Sequence, residues 1–343
     1  MSPTKKRSSS SGLGTLIVLA LVIGFGALYV ALGTDPLGML GGQTAEPTTA
    51  PVVTKTNLPA TQPPAPSAVP ATAAPEAATP IAEPASGQST WWEVYFVNPI
   101  RVRQAEEEAY GANGLPAELL KGSITEKLIQ RIDAAQKTIH IASFETDIVD
   151  VARALIRAKE RGVDVRWITD DEYGIDKDGE PGHGQFKLLK AAGIEVKDDA
   201  RGGLMHNKFW LFDGKTTWTG STNVTISGMF EQNNNVIVVE SPELTAIYER
   251  QWQDMWDGKF NARSPSTVDQ QRINVQGTEI QVLFSPEDKV IEKLVPYTDR
   301  AQKSIYFLAF TFTHPQLGES MLAAAKRGVK VMGVFEKTGS ETE

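Results

Sequence analysis

The stretch MHNKFWLFDG, residues 205–214, and its continuation KTTWTGSTN, residues 215–223, decide how this chain is read. Lys208–Phe212 (KFWLF) is an apolar run of strand length, Asp213-Gly214 is hairpin-turn chemistry, and residues 215–219 form the return strand. Side chains two apart on a strand face the same way, so His206 and Lys208 are expected to project together from one sheet surface. An imidazole beside an ammonium makes a compact anion site. The lysine supplies charge, and the imidazole can attack phosphorus or pass a proton. Gly220, Ser221 and Asn223 follow the return strand and can bring backbone N–H groups, a hydroxyl and an amide to the same oxyanion.

Outward from this hairpin, the spacing predicts strands over residues 93–98 (EVYFVN), 138–144 (TIHIASF) and 163–168 (VDVRWI). Between them it predicts an amphipathic helix over 123–136, with Ile124, Leu128, Ile129 and Ile132 on one face, and a second helix over 149–161 ended by Gly162. Strands alternating with helices imply an α/β fold, a layered sheet with flanking helices. The order then repeats. AQKTI at 135–139 matches AQKSI at 301–305, and RGVDV at 161–165 matches RGVKV at 327–331, both at a separation of 166 residues, which Phe144 and Phe310 share. The opening strands EVYFVNP and IQVLFSP also correspond, at a larger separation, so the first copy carries roughly 21 extra residues before its first helix. This is a tandem repeat whose second copy stops after VKVMGVFE.

The central segment resembles the phospholipase D superfamily signature His-x-Lys-x4-Asp-x6-Gly-Ser-x-Asn at every defined position, and the flanking layout is similar from Glu93 onward. The resemblance implies a phosphodiesterase with His206, Lys208 and Asp213 as its catalytic motif. His206 would be one of two histidines, one attacking the phosphodiester to give a phosphohistidine and the other protonating the leaving alcohol. Lys208, Ser221 and Asn223 would bind the phosphate, Gly220 would support them, and Asp213 would act structurally at the turn behind the site. No metal or organic cofactor is implied. The composition agrees: there are no cysteines, and the only histidines are His140, His183, His206 and His314. His140 alternates with isoleucines as a structural strand residue, while His183 and His314 read as surface residues.

Two departures qualify the resemblance. Asn234 stands where the family often places an acid that hydrogen-bonds the catalytic imidazole; its amide oxygen can still accept from His206, and Glu231 is the weaker substitute. The family also needs two motifs facing each other, and this chain has one. We therefore expect a fragment of a longer protein, with a homodimer sharing two copies of His206 as the alternative.

The N-terminus reads as an anchor and stalk. Lys5, Lys6 and Arg7 in a basic tail (1–11) precede an uncharged run over 12–33, long enough as a helix to span a bilayer, with the remainder exported. A cleaved signal peptide is the alternative. Residues 34–90 are Pro/Ala/Thr-rich, and a disordered linker is expected there. The first phospholipase D-like domain is expected over 91–265 and the partial second over 278–343. The expected place is therefore the cell membrane, single-pass, with the catalytic domain outside. The net charge of -8 disfavours a general nucleic-acid binder. The substrate is expected to be a phospholipid phosphodiester. The alternatives are an extracytoplasmic nuclease, with Lys187, Lys190, Lys197, Arg201 and Lys215 lining a cleft opposed by Asp198 and Asp199, and an inactive module of the same fold.

Overall fold

The computed structural model describes residues 91–260 and 271–336, with the backbone of 19–21 and 28–30. The chain divides into two compact units, Pro84–Arg300 and a second that combines Met1–Glu83 with Ala301–Glu343. In the apolar N-terminal run the described residues are two short strands, β1 (Leu19–Leu21) and β2 (Leu28–Val30), paired antiparallel. They stand where a membrane helix was expected. An apolar run without a polar face carries no periodicity that separates helix from strand, so length alone argued for the helix. The rest of 12–33, the basic tail and the linker 34–90 lie outside the described residues. Among the described residues, no helix is long and apolar enough to cross a membrane.

The unit Pro84–Arg300 is built on a seven-stranded sheet. In chain order its elements begin with β3 (Trp92–Phe96), α1 (Gln104–Asn113), α2 (Ala117–Leu120), α3 (Ile124–Ala134), β4 (Thr138–Ser143), α4 (Val149–Glu160) and β5 (Asp164–Thr169). They continue with α5 (Gln185–Ala191), β6 (Glu195–Asp198), β7 (Lys208–Phe212), β8 (Thr216–Gly220), α6 (Ile226–Phe230), β9 (Asn235–Glu240) and α7 (Pro242–Trp256). A hairpin of β10 (Arg272–Val275) and β11 (Thr278–Gln281) precedes α8 (Val290–Arg300). The sheet order is β3-β9-β8-β7-β4-β5-β6, with β4, β5 and β6 parallel and the others antiparallel.

Both faces of this sheet are covered, which is why its central strands read as nearly continuous apolar runs. Ile139, Ile141, Trp167, Trp210 and Trp218 face the layer of α3, α4 and α5, where Leu128, Ile132, Leu155 and Phe186 pack. The alternate residues Ala142, Ile168, Phe209 and Leu211 face α7, through Ile247, Trp252 and Met255. Helix starts are set by side-chain caps: Ser123 Oγ accepts from the Glu126 N–H, and Ser241, followed by Pro242, accepts from the Leu244 N–H. His140 lies on the α7 face, stacked on Trp252 with ring centres 4.1 Å apart and bonded to Glu249, a structural role as expected.

The register places the site. Ser143, the last residue of β4, pairs with Lys208, the first of β7. The carboxyl ends of β4 and β5 thus meet the amino end of β7, at the point where β4 has a parallel neighbour on one side and an antiparallel one on the other. Open α/β sheets bind ligands at such a crevice.

In the other unit, β12 (Ser304–Ala309), α9 (Pro315–Lys326) and β13 (Lys330–Phe335) follow. Ser304 pairs with Lys330 in a parallel ladder, as Thr138 pairs with Asp164. β12, α9 and β13 therefore stand 166 residues after β4, α4 and β5, and α8 the same distance after α3. One face of the β12–β13 pair exposes Tyr306, Leu308, Met332 and Val334.

Candidate active site

His206 precedes β7 rather than lying in it, yet its side chain meets that of Lys208 against one common wall. The imidazole stands edge-on to Phe144, ring centres 4.8 Å apart, and the Lys208 ammonium lies 5.4 Å from the centre of the same ring. Lys208 Nζ also donates to the His206 carbonyl at 3.1 Å. Phe144 is fully buried, directly after β4, and its other neighbour is Tyr173, whose ring carries the Lys177 ammonium at 4.5 Å. The expected pairing on one side is therefore present, made by a loop residue and a strand residue that share an aromatic support.

The electrostatics suit a nucleophile and an anion clamp. Desolvation pushes the His206 pKa down to about 4, and the Lys208 charge acts in the same direction. The imidazole is thus neutral at pH 7, with a free lone pair. Burial lowers Lys208 to about 8, opposed by the charge of Glu145, so the ammonium persists at neutral pH.

Asn223 reaches the same corner. Its Nδ2 donates to Glu145 Oε1 at 2.8 Å, while its Oδ1 is buried without a partner. Ser221 is committed elsewhere: its hydroxyl donates to Asn234 Oδ1 and accepts from the Asn235 N–H. Gly220 has a specific steric cause. A Cβ there would stand 2.2 Å from the Asn235 carbonyl oxygen, so only glycine lets β8 and β9 approach this closely. Ser221 and Gly220 therefore hold the strand ends together, with the Ser221 hydroxyl turned to Asn234.

Two expectations change, for Asn234 and Glu231. Asn234 does not orient the imidazole; its oxygen takes the Ser221 hydroxyl and its Nδ2 donates to Gly228 and Gln232. Glu231 accepts from the Val102 N–H instead. Asp213, expected to act structurally at the turn behind the site, stands apart from His206 and Lys208. It lies five residues from Lys208 along β7, about 16 Å at strand rise, and its carboxylate accepts from the backbone N–H groups of Gln136, Lys137 and Thr138. Asp213 and Gly214 both have positive φ, 54° and 67°, as a two-residue hairpin turn requires.

Three of the basic residues expected to line a nucleic-acid cleft are placed otherwise. Lys197 packs on Trp256, Arg201 pairs with Asp199 at 2.6 Å, and Lys215 follows the turn at the far end of β7.

Sequence reasoning missed Asp170 and Glu145. Asp170 is buried after β5; one carboxylate oxygen caps the turn at the Tyr173 N–H and the other accepts from the Met205 N–H at 2.8 Å, which fixes the backbone before His206. An acid within two residues of the end of a buried parallel strand was the available signal in both cases. Asp170, Asp171 and Asp199 converge closely enough to hold a cation. Asp170 is saturated by backbone donors and Asp199 faces Arg201, so the cluster is already answered by the protein.

A family model described as cardiolipin synthase, PLD-like domain, matches residues 128–256. The mitochondrial cardiolipin hydrolase of Xenopus laevis is 30% identical over 135 residues, 39% of this chain and 62% of that protein. A phospholipase D of Rickettsia prowazekii is 31% identical over 128 residues, 37% of this chain and 60% of that protein. The solved structure of a phospholipase D family member, Nuc from Salmonella typhimurium, is 29% identical, covering 40% of this chain and 90% of that one with a TM-score of 0.36. The chain spans less than two thirds of the length of these curated relatives. Residues 128–256, which carry most of the sheet and the motif, are thus similar to a phospholipase D-like domain.

Proposed function

We propose that this chain is a hydrolase of phospholipid phosphodiester bonds. The observation that carries the reading is the neutral imidazole of His206 and the ammonium of Lys208 resting on one Phe144 ring. His206 attacks phosphorus, forming an N–P bond as the P–O bond to the leaving alcohol breaks, and Lys208 offsets the charge of the phosphoryl oxygens. A second histidine, from a second motif or a second copy of the chain, delivers the proton to the leaving oxygen. Water then cleaves the phosphohistidine with those proton roles reversed. Asn223 adds an amide donor, while Ser221 and Gly220 hold the strand ends that carry it.

Phospholipid is favoured over nucleic acid because Lys197 and Arg201 are engaged by Trp256 and Asp199 while Lys215 lies at the far end of β7, and because the relatives above are named for cardiolipin and phospholipid chemistry. In this reading residues 12–33 hold the protein to a membrane, the domains are 91–265 and 278–343, and the 166-residue recurrence supports that division. The test is release of phosphatidic acid from cardiolipin or phosphatidylglycerol vesicles, beside cleavage of single-stranded DNA, with His206→Ala as control. Lipid turnover that disappears in the variant is expected. Turnover of DNA alone would select the nuclease alternative, and lipid turnover unaffected by His206→Ala would refute the reading.

A further inference from the structure

The site contains an anion of its own. Glu145, two residues beyond the end of β4, accepts the Asn223 Nδ2 hydrogen bond at 2.8 Å, and its charge acts on Lys208. These are the two donors that the proposed function assigns to the phosphoryl oxygens. A carboxylate and a phosphodiester cannot both claim them, because two anions against one ammonium in a partly buried corner repel strongly. The second observation is the buried Asn223 Oδ1, which has no donor. An unpaired buried acceptor is costly and calls for a partner. An ionised Glu145 has no proton to offer it; a protonated one does.

We propose that Glu145 is an internal substitute for the phosphodiester, which it occludes when ionised and admits by taking up a proton. In the empty site the carboxylate holds Asn223 and balances Lys208. When a diester enters, Glu145 binds one proton from solvent, its O–H turns to Asn223 Oδ1, and Nδ2 and the ammonium are released to the phosphoryl oxygens. No covalent bond changes, and the charge of the site is conserved: one anion is neutralised as another arrives. Glu145 thus serves the site without orienting the imidazole, as the acid expected at position 234 would have done. The inference rests on the phosphodiesterase reading and adds a specificity rule to it, namely that only a ligand anionic enough to repel a carboxylate opens the site.

The groups around Glu145 agree. Burial raises its pKa to about 7, Lys177 and Lys208 pull it down, Asp170 pushes it up, and the Asn223 bond favours the charged form. Asp147 and Tyr173 also feel its charge, and Asp147 is itself raised to about 8 by burial. Glu145 can therefore exchange a proton with solvent at neutral pH, between the His206 and Lys208 values.

The test uses the full chain and diethyl phosphate, a diester that stays a monoanion across neutrality. Infrared difference spectra at pH 7.5 should show, on binding, the carbonyl stretch of an un-ionised carboxylic acid and loss of carboxylate intensity. Both should vanish in Glu145→Gln, which keeps an acceptor for Asn223. Affinity in the unmutated protein should fall about fourfold from pH 6 to pH 7.5, the linkage expected of one group with this pKa. Binding without the carboxylic-acid signal, or the same signal in Glu145→Gln, overturns the proposal. The spectra of the unmutated protein decide it even if the variant does not fold. Normal His206-dependent lipid hydrolysis in that case leaves the enzyme reading standing, whereas absence of both diester binding and hydrolysis sinks the two together.

Discussion

At the scale of single residues, the pair His206 and Lys208 is defined by opposite requirements. The imidazole must be free of its proton to attack, and the lysine must keep its own to hold the phosphoryl oxygens. With His206 held down to about 4 and Lys208 to about 8, kcat/KM for a lipid diester should rise with pH through the first value and fall through the second, the fall beginning near 7 where Glu145 loses its proton. The sign follows from the fractions: unprotonated imidazole grows as pH rises past 4, and ammonium shrinks as pH rises past 8. A pH–rate profile with a maximum between these limits is expected. Activity still climbing above pH 9 would show that the lysine charge is not needed. Burial is the chief cause of both shifts, and Phe144 walls both groups on one side. That wall could not be read from the motif, because the aromatic comes from a different strand.

At the scale of elements, the hairpin β7–β8 was legible almost to the residue. Its signal is local: an apolar run, Asp-Gly at a turn that needs positive φ, and a return strand rich in threonine and tryptophan. The function of Asp213 was legible only in part, because its three backbone partners lie 75 to 77 residues away. Burial alone would raise its pKa, but the N–H groups of Lys137, Gln136 and Thr138 outweigh that and hold the carboxyl below its ordinary value. Asp213→Ala should destabilise the protein by about 2–3 kcal/mol, the scale of leaving several N–H groups unpaired. The kcat of the folded fraction at low temperature should change little. Urea unfolding beside steady-state kinetics separates the two effects, and a large kcat loss at full folding would return Asp213 to the chemistry. Asn234 shows the converse limit: its position in sequence suggested the imidazole, but the close β8–β9 approach at Gly220 brings Ser221 to it first.

For the whole molecule, the 166-residue recurrence was readable because matching pentapeptides sit at corresponding ends of strands, and the parallel ladders then align in the same register. The apolar N-terminal run was not readable in the same way, since uniform hydrophobicity carries no period. The repeat also has a colloidal consequence. On the face shared by β12 and β13, Leu308 is 77% exposed and Val334 64%, with Tyr306 and Met332 beside them. Contiguous apolar surface of this kind drives association. Replacing the directly paired Leu308 and Val334 by lysine should lower self-association in light scattering while leaving the circular dichroism unchanged. Scattering that stays the same would mean that this face is covered in solution.

The strand β7 is anchored at one end and reactive at the other. The Asp213 carboxylate clamps the turn onto three amides, while Lys208 and His206 stand five and seven residues away. Variation is therefore not equally tolerated along the strand. A randomised library at positions around 206 would yield mostly folded proteins with altered chemistry, whereas the same diversity at 213 and 214 would yield mostly unfolded ones. New catalysts on this scaffold are to be sought at the open end.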